Sequence, residues 1–262
     1  MTKTAAFICA LLFSATTAHA DVPPEVLREE LAEMMSLFGI DEAVSPDLEL
    51  HRRTLEDPWL GYRVIVLVDK SAQGTSETAQ QLLVFNYDES AGSFYHYDTW
   101  KTSTGLETPH RKNGKLISTR ETPAGFFRLE YRQADYVSYK YGEPMPYSLF
   151  YWRNFGVAIH ATSEARYPLL GQRASMGCTR LTLENAKRLY ELVDSYGQGA
   201  VAKLDQLTGH LTQGRGGPLV VKSHPLFVLN TAPGQANSPI KINPAEYVKS
   251  PGALIELLRA GR

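Results

Sequence analysis

The apolar positions along the chain change their spacing several times, and each change marks an element. Ala5 to Ala15 is an apolar run of about 11 residues, preceded by Lys3 and followed by Ala18-His19-Ala20, a small-x-small site ahead of Asp21. A membrane-spanning helix needs about 20 apolar residues, so residues 1–20 read as a secretory signal peptide rather than an anchor. Cys9 lies inside the run and not at a lipid-attachment position. In residues 23–38 the period is helical. Leu27, Leu31, Met34, Met35 and Phe38 share a face, Glu29, Glu30 and Glu33 lie between them, and Gly39 is the stop. The methionine pair on that face reads as packing.

From Tyr62 the pattern turns to short β-rich runs. Arg63–Val68 and Leu82–Tyr87 are nearly continuous apolar stretches, and Phe94–Trp100, Gly125–Tyr131 and Gly156–His160 follow. Gly92, Gly105, Asn113-Gly114 and Pro123 punctuate them. Many strands with few helices between them predict a mainly β domain rather than an alternating βαβ fold. One helix is well signposted. Thr182 suits an N-cap, Glu184 suits the positive end of the helix dipole, and Leu183, Ala186, Leu189, Tyr190 and Val193 form its stripe, with Gly197 as stop. Ala200–Leu204 returns to strand. Beyond residue 206 Gly, Pro, Ser and Asn dominate from Gly209 to Pro239, with short helices expected at Asn243-Pro244 and over Ala253–Arg259. The expected organisation is a signal peptide (1–20), an N-terminal helical segment (21–60), a mainly β domain (61–205) and a C-terminal extension (206–262).

Charge narrows the partners. The chain carries 27 basic and 28 acidic residues, and loss of Lys3 with the signal leaves 26 against 28. That balance offers nothing to a nucleic acid, which selects a clear basic excess. No later stretch is long and apolar enough for a transmembrane span. His51, His96, His110, His210 and His224 are scattered without ligand spacing, and there is no CxxC pair, so neither a metal nor a cofactor is expected. The run Gly214 to Gly217 lacks the following helix and Lys-Ser/Thr of a phosphate loop and reads as a flexible loop.

Cysteine usage changes the picture most. With Cys9 removed, Cys178 is the only thiol, in a compartment that favours paired cysteines. Such a residue is either buried and inert or kept for chemistry. Its surroundings favour chemistry. A strand ends at His160, a loop leads to Ser175-Met176-Gly177-Cys178, and a helix opens at Thr182. A thiol near a helix N-terminus is biased toward thiolate, and Gly177 permits a tight turn whose amide, with that of Cys178, can face a developing oxyanion. An imidazole on a neighbouring strand can take the thiol proton and return it to a leaving amine. Arg180 either binds a substrate carboxylate or braces the turn, and Ser175 is placed to hydrogen-bond behind the nucleophile. The tyrosine-rich stretch from Tyr131 to Trp152 is either packing or a wall over the site.

These residues resemble the L,D-transpeptidase catalytic domain, also called the YkuD family. Its motif is a His followed, after a variable loop, by Ser-His-Gly-Cys-hydrophobic-Arg or Asn. The matching positions are His160, Ser175, Gly177, Cys178 and Arg180. Ser103-Thr104-Gly105, Thr122-Pro123-Ala124-Gly125-Phe126-Phe127 and Met145-Pro146-Tyr147 extend the likeness over roughly Tyr62 to Leu204. The resemblance implies a β-sandwich-like domain acting on peptidoglycan stem peptides. Cys178 would attack the bond before a terminal D-alanine, and a second stem would resolve the thioester as a 3→3 cross-link. Water as acceptor would make the chain a carboxypeptidase or a hydrolase of cross-links or protein tethers. A catalytically weak wall-binding module is the reading from another class. The resemblance further implies that the Ala161 carbonyl orients His160, that Tyr147 lies in the substrate-binding or bracing set, and that the protein works in the periplasm or cell envelope. Met176 stands where relatives carry His and Thr179 where they carry an apolar residue. A thioether is only a weak acceptor and cannot replace an imidazole donor.

Overall fold

The structure, a computed structural model, describes residues 46–57, 59–70, 80–152, 155–207, 209–214 and 217–231. The expected signal peptide, the expected helix over 23–38 and the two expected C-terminal helices lie outside the described residues. The described residues from Leu50 onward belong to one compact unit, which is described below. A short helix, α1 (Pro46–Glu56), leads into it.

Five strands make the central sheet: β1 (Val64–Asp69), β2 (Gln81–Asp88), β3 (Ser93–Lys101), β4 (Gly125–Arg128) and, from the far end of the chain, β9 (Leu226–Asn230). Their order is β3-β2-β1-β9-β4, with β1 and β9 parallel and the other neighbours antiparallel. The second sheet has the order β8-β7-β6-β5. It is made of β5 (Tyr131–Val137), β6 (Pro144–Trp152), β7 (Val157–Ala161) and β8 (Thr179–Leu181). The fold is thus mainly β, with two main sheets, four two-stranded ones among the described residues, and a helix after the thiol loop, α2 (Leu183–Ser195).

The unbroken apolar runs have a simple origin. Successive side chains of a strand face opposite ways, and the central sheet is covered on both faces. Val64, Val66 and Val68 of β1 pack with Val84, Val228, Leu149, Ile159 and Leu181 between the sheets, where Ala186, Leu189 and Val193 of α2 close the layer. Ile65 and Leu67 face the other way, into a cluster with Phe85, Phe227, Leu229 and Val201. The expected helix forms with Thr182 as its cap, the hydroxyl accepting from the Asn185 N–H at 3.2 Å. Leu183 is the exception in its stripe. It is nearly half exposed and faces a cavity instead of the core.

The expected boundary at residue 205 cuts through this unit. All five residues of β9 are buried, and the strand lies inside the sheet, between β1 and the edge strand β4. Val220–Ser223 likewise pairs with Gly199–Ala202. A four-residue apolar run, Leu226–Leu229, between Pro225 and Asn230 is all that a fully buried strand requires, and the Gly- and Pro-rich surroundings hide it.

Candidate active site

β7 and β8 run parallel, with Ile159 opposite Thr179 and His160 opposite Arg180. This register places the residue before β8, Cys178, beside the first half of β7. The Cys178 Sγ–H donates to the Gly156 carbonyl at 3.4 Å. His160 is 5% exposed, and its Nδ1 lies 2.6 Å from the Ala161 carbonyl oxygen. A carbonyl only accepts, so Nδ1 carries the proton and Nε2 is left as the basic nitrogen. Burial holds the imidazole down at about 4, outweighing the Ala161 hydrogen bond that favours the charged form. At neutral pH the ring is therefore an uncharged base. Burial also pushes the Cys178 thiol up, with the Ala158 backbone and the Arg180 charge acting the other way. The resting pair is thiol and imidazole, not an ion pair.

This differs from the helix-dipole expectation. Three residues of extended β8, roughly 10 Å, separate Cys178 from the cap of α2, and the dipole's influence fades within a turn. Desolvation wins.

The turn itself is held by side chains on both flanks. Ser175 Oγ accepts from the Gly177 N–H at 3.0 Å and donates to the Cys178 carbonyl at 2.5 Å. The Gly177 N–H is therefore engaged within the turn. Gly177 has φ +131°, and a Cβ there would sit 2.9 Å from the Glu121 carbonyl, so only glycine fits. Arg180 Nη1 donates to the Ala174 carbonyl at 3.0 Å while the side chain also faces the cavity, so one residue braces the loop and supplies positive charge.

His160, Met176, Gly177, Cys178 and Arg180 line a cavity of about 780 Å³. Tyr136, Tyr139 and Tyr141 from the β5–β6 hairpin and Phe155 form its aromatic wall, so part of the tyrosine-rich stretch does face the site. Phe150 of the same stretch is buried and stacks on Tyr136, which is packing. Arg166, paired with Glu143 at 2.8 Å, and Glu164 add charge to the rim. Tyr147 is absent from the lining. Its ring packs edge-on against Tyr190 of α2 at 5.7 Å, which makes it a brace between β6 and the helix. The backbone explains this. Tyr147 has φ +56°, a left-handed kink within β6. Arg166 and Glu164 carried no sequence signal, because they come from a 3-10 helix inside the variable loop. Among the described residues no group of three or more His, Cys, Asp or Glu is placed to hold a metal.

Two packed sheets that bring a lone thiol and an uncharged imidazole to one cleft are the framework of a thiol-type catalytic domain. The L,D-transpeptidase catalytic domain, YkuD, matches residues 63–221, and the chain belongs to that family. Similar solved structures include an L,D-transpeptidase from Xylanimonas cellulosilytica, with 14% identity and a TM-score of 0.38 over 64% of this chain and 60% of that one. One from Mycobacterium smegmatis has 16% identity and a TM-score of 0.37 over 65% and 59%. One from Stackebrandtia nassauensis has 18% identity and a TM-score of 0.37 over 77% and 75%. The chain thus spans about three fifths of the first two. A comparison with curated proteins finds no match.

Proposed function

We propose that the protein is an exported L,D-transpeptidase that forms 3→3 cross-links between peptidoglycan stem peptides through a Cys178 thioester. One observation carries the reading: a buried, uncharged His160 whose Nδ1–H is held by the Ala161 carbonyl, on the same cavity as the chain's one described thiol. In the reaction Nε2 of His160 takes the Sγ proton as sulfur attacks the carbonyl before the terminal D-alanine. With the Gly177 N–H committed to Ser175, the Cys178 N–H is the backbone donor for the oxyanion. Collapse passes the proton from His160 to the leaving D-alanine amine. A side-chain amine of a second stem then gives up a proton to Nε2 and attacks the thioester, and the thiol is regenerated. The Arg180 charge on the cavity suits an anionic stem peptide. Lys3, the apolar run and the Ala18-His19-Ala20 site support export to the periplasm or cell envelope.

Incubating the protein with muropeptides and weighing the products tests the assignment. A cross-linked dimer with release of D-alanine is the expected result. A shortened monomer alone would replace the transferase reading with a carboxypeptidase. Binding without turnover would leave a wall-binding module. Cys178→Ala is expected to abolish every product, and persisting turnover would falsify the nucleophile.

A further inference from the structure

Thr122 lies 55 positions before the thiol turn, is 1% exposed, and touches neither Cys178 nor His160 in any hydrogen bond of the structure. Its hydroxyl nevertheless joins the two segments. Thr122 Oγ1 accepts from the Gly105 N–H at 2.8 Å, so its own hydrogen is free to donate, and it points to the Gly177 carbonyl at 2.7 Å. The carbonyl of Thr122 is itself held by the Lys70 ammonium, which is 1% exposed and paired with Glu107 at 2.8 Å. The hydroxyl is thus anchored to the body of the domain from both sides.

The peptide joining Gly177 to Cys178 is planar and trans, so its C=O and N–H point in opposite directions. Tying the Gly177 carbonyl to Thr122 fixes the direction of the Cys178 N–H, away from Thr122. The neighbouring peptides are already fixed by Ser175, through the Gly177 N–H and the Cys178 carbonyl. Only the middle peptide of the three depends on Thr122.

We propose that Thr122 is a positioning residue for acyl transfer, whose hydroxyl holds the Gly177–Cys178 peptide so that the Cys178 N–H is aimed at the developing oxyanion. The inference rests on the acyl-transfer reading above and assigns it a further residue. It predicts a selective defect. Forming the thioester passes through an oxyanion, whereas alkylation of the same thiol by iodoacetamide does not.

The test uses the full chain, with acylation by a carbapenem followed by intact mass and alkylation by iodoacetamide as the second reaction. Thr122→Val is expected to slow acylation about tenfold to a hundredfold, within the range known for lost oxyanion donors. Its alkylation is expected to stay within about twofold of the parent, and Thr122→Ser to restore acylation. If Thr122→Val does not fold, Thr122→Ala carries the same comparison. Acylation at the parent rate in the folded hydroxyl-free variant overturns the proposal. So does an equal loss in both reactions, which would mark a general collapse of the turn, or a Thr122→Ser variant as slow as the valine. Failure of the parent protein itself to acylate would instead overturn the acyl-transfer reading.

Discussion

The imidazole of His160 suits the proposed role of base because it is kept uncharged at rest. Its enclosure penalises charge, and the Ala161 carbonyl fixes the tautomer with Nε2 as the proton acceptor. An imidazole held at about 4 is still largely neutral at pH 5, where one at its ordinary 6.5 would be nearly all protonated. Because its value in the folded protein is depressed, activity is present above about 4 and lost as pH falls through it. Acylation rates measured by intact mass between pH 4 and 8 are therefore expected to keep most of their plateau at pH 5, and an acid limb centred near 6.5 would contradict the assignment. Met176 is the other residue whose chemistry matters at this scale. It lines the cavity with a sulfur that donates no hydrogen bond, and one missing donor is worth about 3 kcal/mol in a transition state. Met176→His is expected to speed acylation about tenfold. An unchanged rate would mean that backbone donors suffice.

Among the elements, α2 is the one whose ends are chemically marked. Thr182→Ala removes the acceptor for the Asn185 N–H and is expected to cost about 1 kcal/mol, read as a lower urea midpoint. This helix and the strands β1, β2, β3 and β7 were legible because each obeys a local rule: a cap, a period, or an apolar run with turn residues at its ends. β9 was not, since Leu226–Asn230 is short and its meaning comes from β1, its distant neighbour. The hairpin of β5 and β6 was ambiguous for a different reason. Its tyrosines alternate between cleft and core, so Tyr136 lines the cavity while Tyr147 braces α2. The site divides similarly. Cys178, His160 and Ala161 are close in the family pattern and were readable from it, whereas the Thr122 contact to Gly177 joins segments with no shared spacing.

At the scale of the molecule, the two main sheets share one core, and the strands β7 and β8, which frame the candidate site, rest on it through Ile159 and Leu181. A chain ending at residue 205 keeps every residue named in the chemistry but lacks β9, whose loss exposes β1 and β4 edges and removes five buried side chains. That truncation is expected to be unfolded by circular dichroism and unreactive toward a carbapenem. A folded, reactive fragment would show that the boundary lies there after all. Val64 meets Leu226 about 160 positions later, so the sheet closes only once that distant segment has been made. The thiol and imidazole are made well before the strand that seats their scaffold, so the nascent chain carries both groups before their cleft is formed. The cleft is in effect completed by a late arrival, since its scaffold is seated only after β9 has docked.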